Sequence, residues 1–87
     1  MSQEQTTLFN FSELDAEATR KTLEEVYDAL EERGYNPVNQ IVGYLISGDP
    51  GYISSYKNAR VKMQEVERAK VVEILLQEFR KNKRWDI

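Results

Sequence analysis

Eighty-seven residues make one small domain, which buries roughly 60–65% of its unfolded surface and so has a thin core. The chain holds neither Cys nor His, which excludes disulfides, the usual zinc sites and Cys–His or Ser–His–Asp nucleophilic machinery. Charge is uneven: residues 1–33 hold nine Asp/Glu and three Lys/Arg (−6), residues 34–87 six and nine (+3), which sum to the net −3, and so acidic a first part argues against a general nucleic-acid or anionic-membrane surface.

In chain order, residues 1–11 open with Ser, Gln, Glu and Thr without helical periodicity and end apolar at Leu8-Phe9-Asn10-Phe11. This reads as a mobile tail with an anchoring end, followed by a single helical domain over residues 12–87. Ser12-x-x-Asp15 is close to a capping box, so the first helix is expected to start between residues 13 and 16 and to end at Arg33, before Gly34. Ala16, Thr19, Leu23, Val26, Tyr27 and Leu30 fall within roughly 100° of its circumference, a face that lies on a core. Glu24, Glu25, Asp28, Glu31 and Glu32 point outward.

Residues 34–50 punctuate the chain. Asn36 is a cap with Pro37 at the first helical position, Gly48 is a stop, and Asp49-Pro50 repeats the cap-plus-proline device. The helix between, Pro37 to Ser47, has apolar residues over roughly 200° and is expected to be buried on two sides. Gly43 inside it costs about 1 kcal/mol relative to Ala, for which close approach by another helix is the expected compensation.

Beyond Pro50 a short turn leads to Ser54 or Ser55 as a cap. A long helical segment follows, with a bend at residues 65–68, giving two helices over 54–66 and 68–82. The second carries Val71, Val72, Ile74, Leu75, Leu76 and Phe79 over roughly 200°. That is more apolar surface than one small domain needs, and a homodimer interface is expected there. Lys57, Arg60 and Arg68, with Gln64 between, form one basic stripe at offsets of three, seven and eleven. It is a candidate site for an acidic or phosphorylated partner, since Arg pairs bidentately with phosphate. Arg80, Lys81, Lys83 and Arg84 form a second cluster, where cations favour a helix C-terminus.

The fold class is therefore all-α: a compact bundle of four to five short helices with a flexible N-terminal tail, as an intertwined or face-to-face homodimer. Catalytic signatures are absent, since Gly48-x-x-Gly51 lacks the Lys and spacing of a phosphate loop and Gly43 with Gly48 makes no dinucleotide fingerprint. No enzyme and no cofactor are expected. The lack of Cys and of any apolar run of about 18 residues reads as a cytoplasmic protein with no membrane insertion. A helix-turn-helix-like nucleic-acid-binding or passive structural module is the alternative, because two short helices meet at Gly48 ahead of a segment with Arg and Lys; the overall acidity weighs against it.

The stretch Gly34-Tyr35-Asn36-Pro37-Val38-Asn39-Gln40-Ile41-Val42-Gly43-Tyr44-Leu45-Ile46-Ser47-Gly48-Asp49-Pro50-Gly51-Tyr52-Ile53 resembles the signature of the IreB family of small regulatory phosphoproteins of Gram-positive bacteria, called ReoM in some species. The likeness extends through Asn58-Ala59-Arg60 and Glu67-Arg68 and upstream to Val26-Tyr27-Asp28-Ala29-Leu30. The resemblance implies a non-enzymatic cytoplasmic homodimer whose tail threonine is phosphorylated by a membrane-anchored PASTA-type Ser/Thr kinase and reset by its phosphatase. Its implied output is control of peptidoglycan synthesis and β-lactam tolerance through Clp-dependent turnover of an early pathway enzyme. Thr7, in Thr7-Leu8-Phe9, fits the family's phosphorylation pattern, and Thr6 is the second candidate. The chain departs from the family at Ser54-Ser55, at Gln64-Glu65, where relatives are basic, and at Ala69-Lys70, where they are acidic. These changes thin the basic row to Lys57, Arg60 and Arg68.

Overall fold

The computed structural model describes residues 13–82. The tail with Thr6, Thr7, Leu8, Phe9 and Phe11, and the basic residues Lys83 and Arg84, lie outside the described residues. Within them the chain is all-α: α1 (Glu13–Glu32), α2 (Pro37–Ser47), α3 (Ala59–Gln64) and α4 (Arg68–Lys81), with 3₁₀ turns at Pro50–Tyr52 and Tyr56–Asn58.

The punctuation acts as its residue types dictate. Gly34, at φ +90, lets the Tyr35 N–H reach the Leu30 carbonyl at 3.0 Å and its own N–H reach Glu31 at 3.0 Å, so two orphan carbonyls of α1 are satisfied by a Schellman motif. The Asn36 side chain accepts from the Asn39 N–H at 3.1 Å, and Asp49 accepts from Gly51 at 2.9 Å. Pro37 and Pro50 follow these caps, where no N–H is needed.

The core is assembled from Val26, Ala29 and Leu30 of α1, Ile41 and Tyr44 of α2, Ile53 just after the first 3₁₀ turn, Ala59 and Met63 of α3, and Val71 of α4. Thr19, on the apolar arc of α1, is buried as well. Leu30, Ile53, Met63, Val26 and Val71 are fully enclosed, each contributing about 1.5–3 kcal/mol through removal of apolar surface from water.

Three expectations are corrected. The helix expected over 54–66 is a 3₁₀ turn followed by a six-residue α3, because Lys57 (φ 51) and Asn58 (φ 62) are left-handed and interrupt right-handed helix. The Ser54 N–H is drawn instead to Gln40 Oε1 at 2.9 Å, and Ser54 Oγ accepts from the Tyr56 N–H at 3.1 Å. Gly43 is approached by the Tyr52 ring rather than by a helix: a Cβ there would lie 2.5 Å from Tyr52 Cδ1. Finally, α2 is buried on one side only, through Pro37, Ile41 and Tyr44, while Val38, Val42 and Ile46 are exposed. The break before α4 stands where the change of apolar stripe places it.

Candidate functional site

The sequence-predicted cations do not share one helix face. Lys57 is in the second 3₁₀ turn, Arg60 in α3, and Arg68 at the first position of α4, so the left-handed residues and the break distribute them over three elements. Two of them nevertheless converge on one feature, the corner between α2 and α3.

Gly48 ends α2 in the left-handed conformation with its N–H on the Tyr44 carbonyl at 2.7 Å. This is the single-bond αL cap, which leaves the next carbonyl, that of Leu45, without a backbone donor. Arg68 supplies one: its Nη1 donates to the Leu45 oxygen at 3.0 Å. The guanidinium lies so close to Gly48 that a Cβ there would be 3.0 Å from Arg68 Cζ. At the far side of the corner, Arg60 Nε donates to the Ile53 carbonyl at 2.8 Å. A cation at the end of α2 also opposes the negative pole of its dipole. Both arginines are exposed, and their remaining N–H groups can still present to an anion outside the chain.

Lys57 is committed differently. Its Nζ donates to Glu32 Oε1 at 2.7 Å and lies 5.7 Å from the Tyr56 ring centroid, while Arg33 lies 5.6 Å from the same ring, within cation–π range. The hydrogen bond from Lys57, reinforced by its charge, holds the Glu32 carboxyl below its ordinary value. The same bond raises the Lys57 ammonium. A lowered carboxyl contributes stability above its unfolded-state pKa and loses it as pH falls through the folded value. A raised ammonium contributes below its unfolded value and loses it as pH rises through the folded one. The link therefore persists across neutral pH and dissolves on acidification. A carboxyl NMR titration is expected to place the Glu32 midpoint below the ordinary glutamate value, with Lys57→Ala moving it up and salt shrinking the difference. An unchanged midpoint in Lys57→Ala would deny the pairing.

A second surface is apolar. Leu23 and Tyr27 of α1, Val38, Ile41, Val42 and Leu45 of α2, and Leu75 of α4 enclose a cavity of about 180 Å³ with no polar lining. Val72, Leu76 and Phe79 of α4 extend the exposed apolar surface along that helix. The sequence signalled this surface through the two wide apolar arcs, although it could not show that α2 and α4 contribute to the same groove. Among the described residues no helix is long and apolar enough to cross a membrane.

A family model described as the IreB regulatory phosphoprotein matches residues 4–81, a span that takes in both tail threonines, the capped corner and α4 to its last residue. The chain belongs to the IreB family. IreB proteins are regulatory phosphoproteins, and that class agrees with an all-α scaffold whose conspicuous surfaces are an apolar groove and a few exposed cations. In IreB terms much of the block Gly34 to Ile53 is scaffold, with residues that cap helices, fill the core or hold the corner that Arg60 and Arg68 grip, while its Val38 and Val42 line the apolar groove.

Proposed function

We propose that this IreB-family chain is a non-enzymatic, cytoplasmic phosphoprotein and the substrate of a PASTA-type membrane Ser/Thr kinase and its cognate phosphatase. It controls peptidoglycan synthesis and β-lactam tolerance through Clp-dependent turnover of an early pathway enzyme. The observation that carries the reading is the family match, which begins at residue 4 and so includes Thr6 and Thr7. Phosphorylating either adds about −1.5 to −2 charge and three strong acceptors to the acidic first part of the chain. Lys57, Arg60 and Arg68 then belong to the surface that an acidic partner reads or that the tail controls. The chain acts as a homodimer through the apolar surface of α2 and α4, which a monomer leaves in water.

The test is incubation of the full chain with the kinase and ATP, followed by peptide mass mapping. One phosphate on Thr7 or Thr6 is expected, removed by the phosphatase. A chain that stays unmodified at both sinks the reading. The helix-turn-helix-like alternative predicts instead salt-dependent nucleic-acid binding and no response to the kinase.

A further inference from the structure

We infer that Arg20 of α1, with Arg80 and Lys81 at the end of α4, forms an intramolecular binding site for the phosphate of this chain's own tail threonine, the Glu78 carboxylate being the internal anion it displaces. The inference rests on the phosphorylated-tail reading above and says where the modified tail goes.

Three observations carry it. Arg20 Nε lies 3.3 Å from Glu78 Oε2, and Lys81 Nζ lies 3.7 Å from the same oxygen, so two cations already converge on one anionic oxygen. Beside them a surface cavity of about 450 Å³ is lined by Arg20, Gln77, Arg80 and Lys81: three cations and a neutral amide, without a carboxylate. The third is distance along the chain. α1 starts at Glu13, and Thr7 stands six residues before it, a reach of up to about 20 Å for an extended chain. Arg20 is seven residues into the helix, about 10 Å from its start. A tail folding back along α1 therefore brings Thr7 to Arg20 with length to spare, and Thr6 with one residue more.

Charge exchange supplies the preference. At this site a carboxylate of charge −1 gives way to a phosphate of about −1.5 to −2, which Arg20 can take bidentately. The negative pole of α4 opposes any anion here, but it amounts to about half a charge, and Asn82 already caps the Glu78 and Phe79 carbonyls at 3.2 and 3.3 Å. Arg60 and Arg68 are poorer docks for the tail, since each is already anchored on a backbone carbonyl, that of Ile53 or Leu45, and has fewer N–H groups left for a phosphate.

The experiment uses the full chain with phosphothreonine genetically encoded at position 7, and in parallel at position 6. Backbone amide shifts are followed, together with the rate of dephosphorylation by a broad-specificity phosphatase. At one of the two positions the phosphate is expected to move the amides of Arg20 and residues 77–81. In that chain Arg20→Gln with Lys81→Gln speeds dephosphorylation roughly three- to fivefold, as expected for partly exposed pairs, while Glu78→Gln slows it. The Glu78→Gln arm opens no cavity and removes only the competing charge, so it decides the matter even if the double variant is less stable. Unchanged rates in both variants at both positions, or shifts confined to Arg60 and Arg68, overturn the site. Because the phosphate is installed without the kinase, such a result leaves the kinase reading standing. An unmodified chain after kinase treatment removes that reading without touching the site.

Discussion

Gly48→Ala is expected to destabilise the protein by about 1–3 kcal/mol, a large share of the roughly 4–13 kcal/mol usual for a chain of this size. Gly48 sits at φ +77, where an L-residue costs about 1–2 kcal/mol, and the added Cβ would meet the Arg68 guanidinium at 3.0 Å. Moving that guanidinium releases the Leu45 carbonyl, whose bond to Arg68 is charge-assisted and, at an exposed site, is worth up to about 1 kcal/mol. In thermal melts at fixed protein concentration the two parts together lower Tm by about 4–24 °C. Repeating the substitution in an Arg68→Ala background separates them, because the backbone strain remains while the steric conflict is gone. The increment there is expected to fall to about 1–2 kcal/mol. Equal increments in both backgrounds would mean that the added Cβ does not disturb the guanidinium, and a neutral Gly48→Ala would mean that the left-handed turn is not needed.

That corner also shows what a sequence can and cannot disclose. Gly34, Asn36-Pro37, Gly48 and Asp49-Pro50 act within four residues of themselves, through φ preference, a missing N–H or a side chain returning to nearby backbone, so the bounds of α1 and α2 were legible. The start of α4 was legible because a change of apolar phase along one segment cannot be accommodated by a straight helix. Residues 53–58 were not legible. Their path depends on bonds to distant groups, Ser54 to Gln40 and Arg60 to Ile53, and a left-handed Lys57 carries no local signal, whereas Asn58 is a tolerated type there. A single basic stripe through Lys57, Arg60 and Arg68 requires helix throughout. Once residues 56–58 turn the other way the stripe dissolves, and what remains is a pair of arginines on two carbonyls of one corner. The missing partner of Gly43 follows the same rule: the need for a close neighbour was visible, but its identity as the Tyr52 ring depends on the corner that folds Tyr52 back onto α2.

If the proposed homodimer uses this surface, a single charge on the apolar face of α4 is expected to convert dimer to monomer. Leu76 is 62% exposed, and an exposed Leu→Glu change in a monomer stays within about 0.5 kcal/mol. A two-fold interface repeats every substitution, so Leu76→Glu would bury two unpaired carboxylates, each costing several kcal/mol. Association is then weakened at least about a hundredfold, while helix content is retained. Sedimentation equilibrium at micromolar concentration reads the mass, and far-UV circular dichroism checks the fold. Val42→Glu places the same charge on α2, at the wall of the wholly apolar groove, and tests whether both helices belong to one interface. If both variants sediment as the parent does, the surface faces water in the working protein. If Leu76→Glu alone dissociates it, the interface runs along α4 and leaves the α2 side of the groove open. Dissociation by either charge is the outcome expected if α2 and α4 are covered together, because only then does burial of Val42 and Val38 account for an α2 whose apolar arc is wider than the part its own chain encloses.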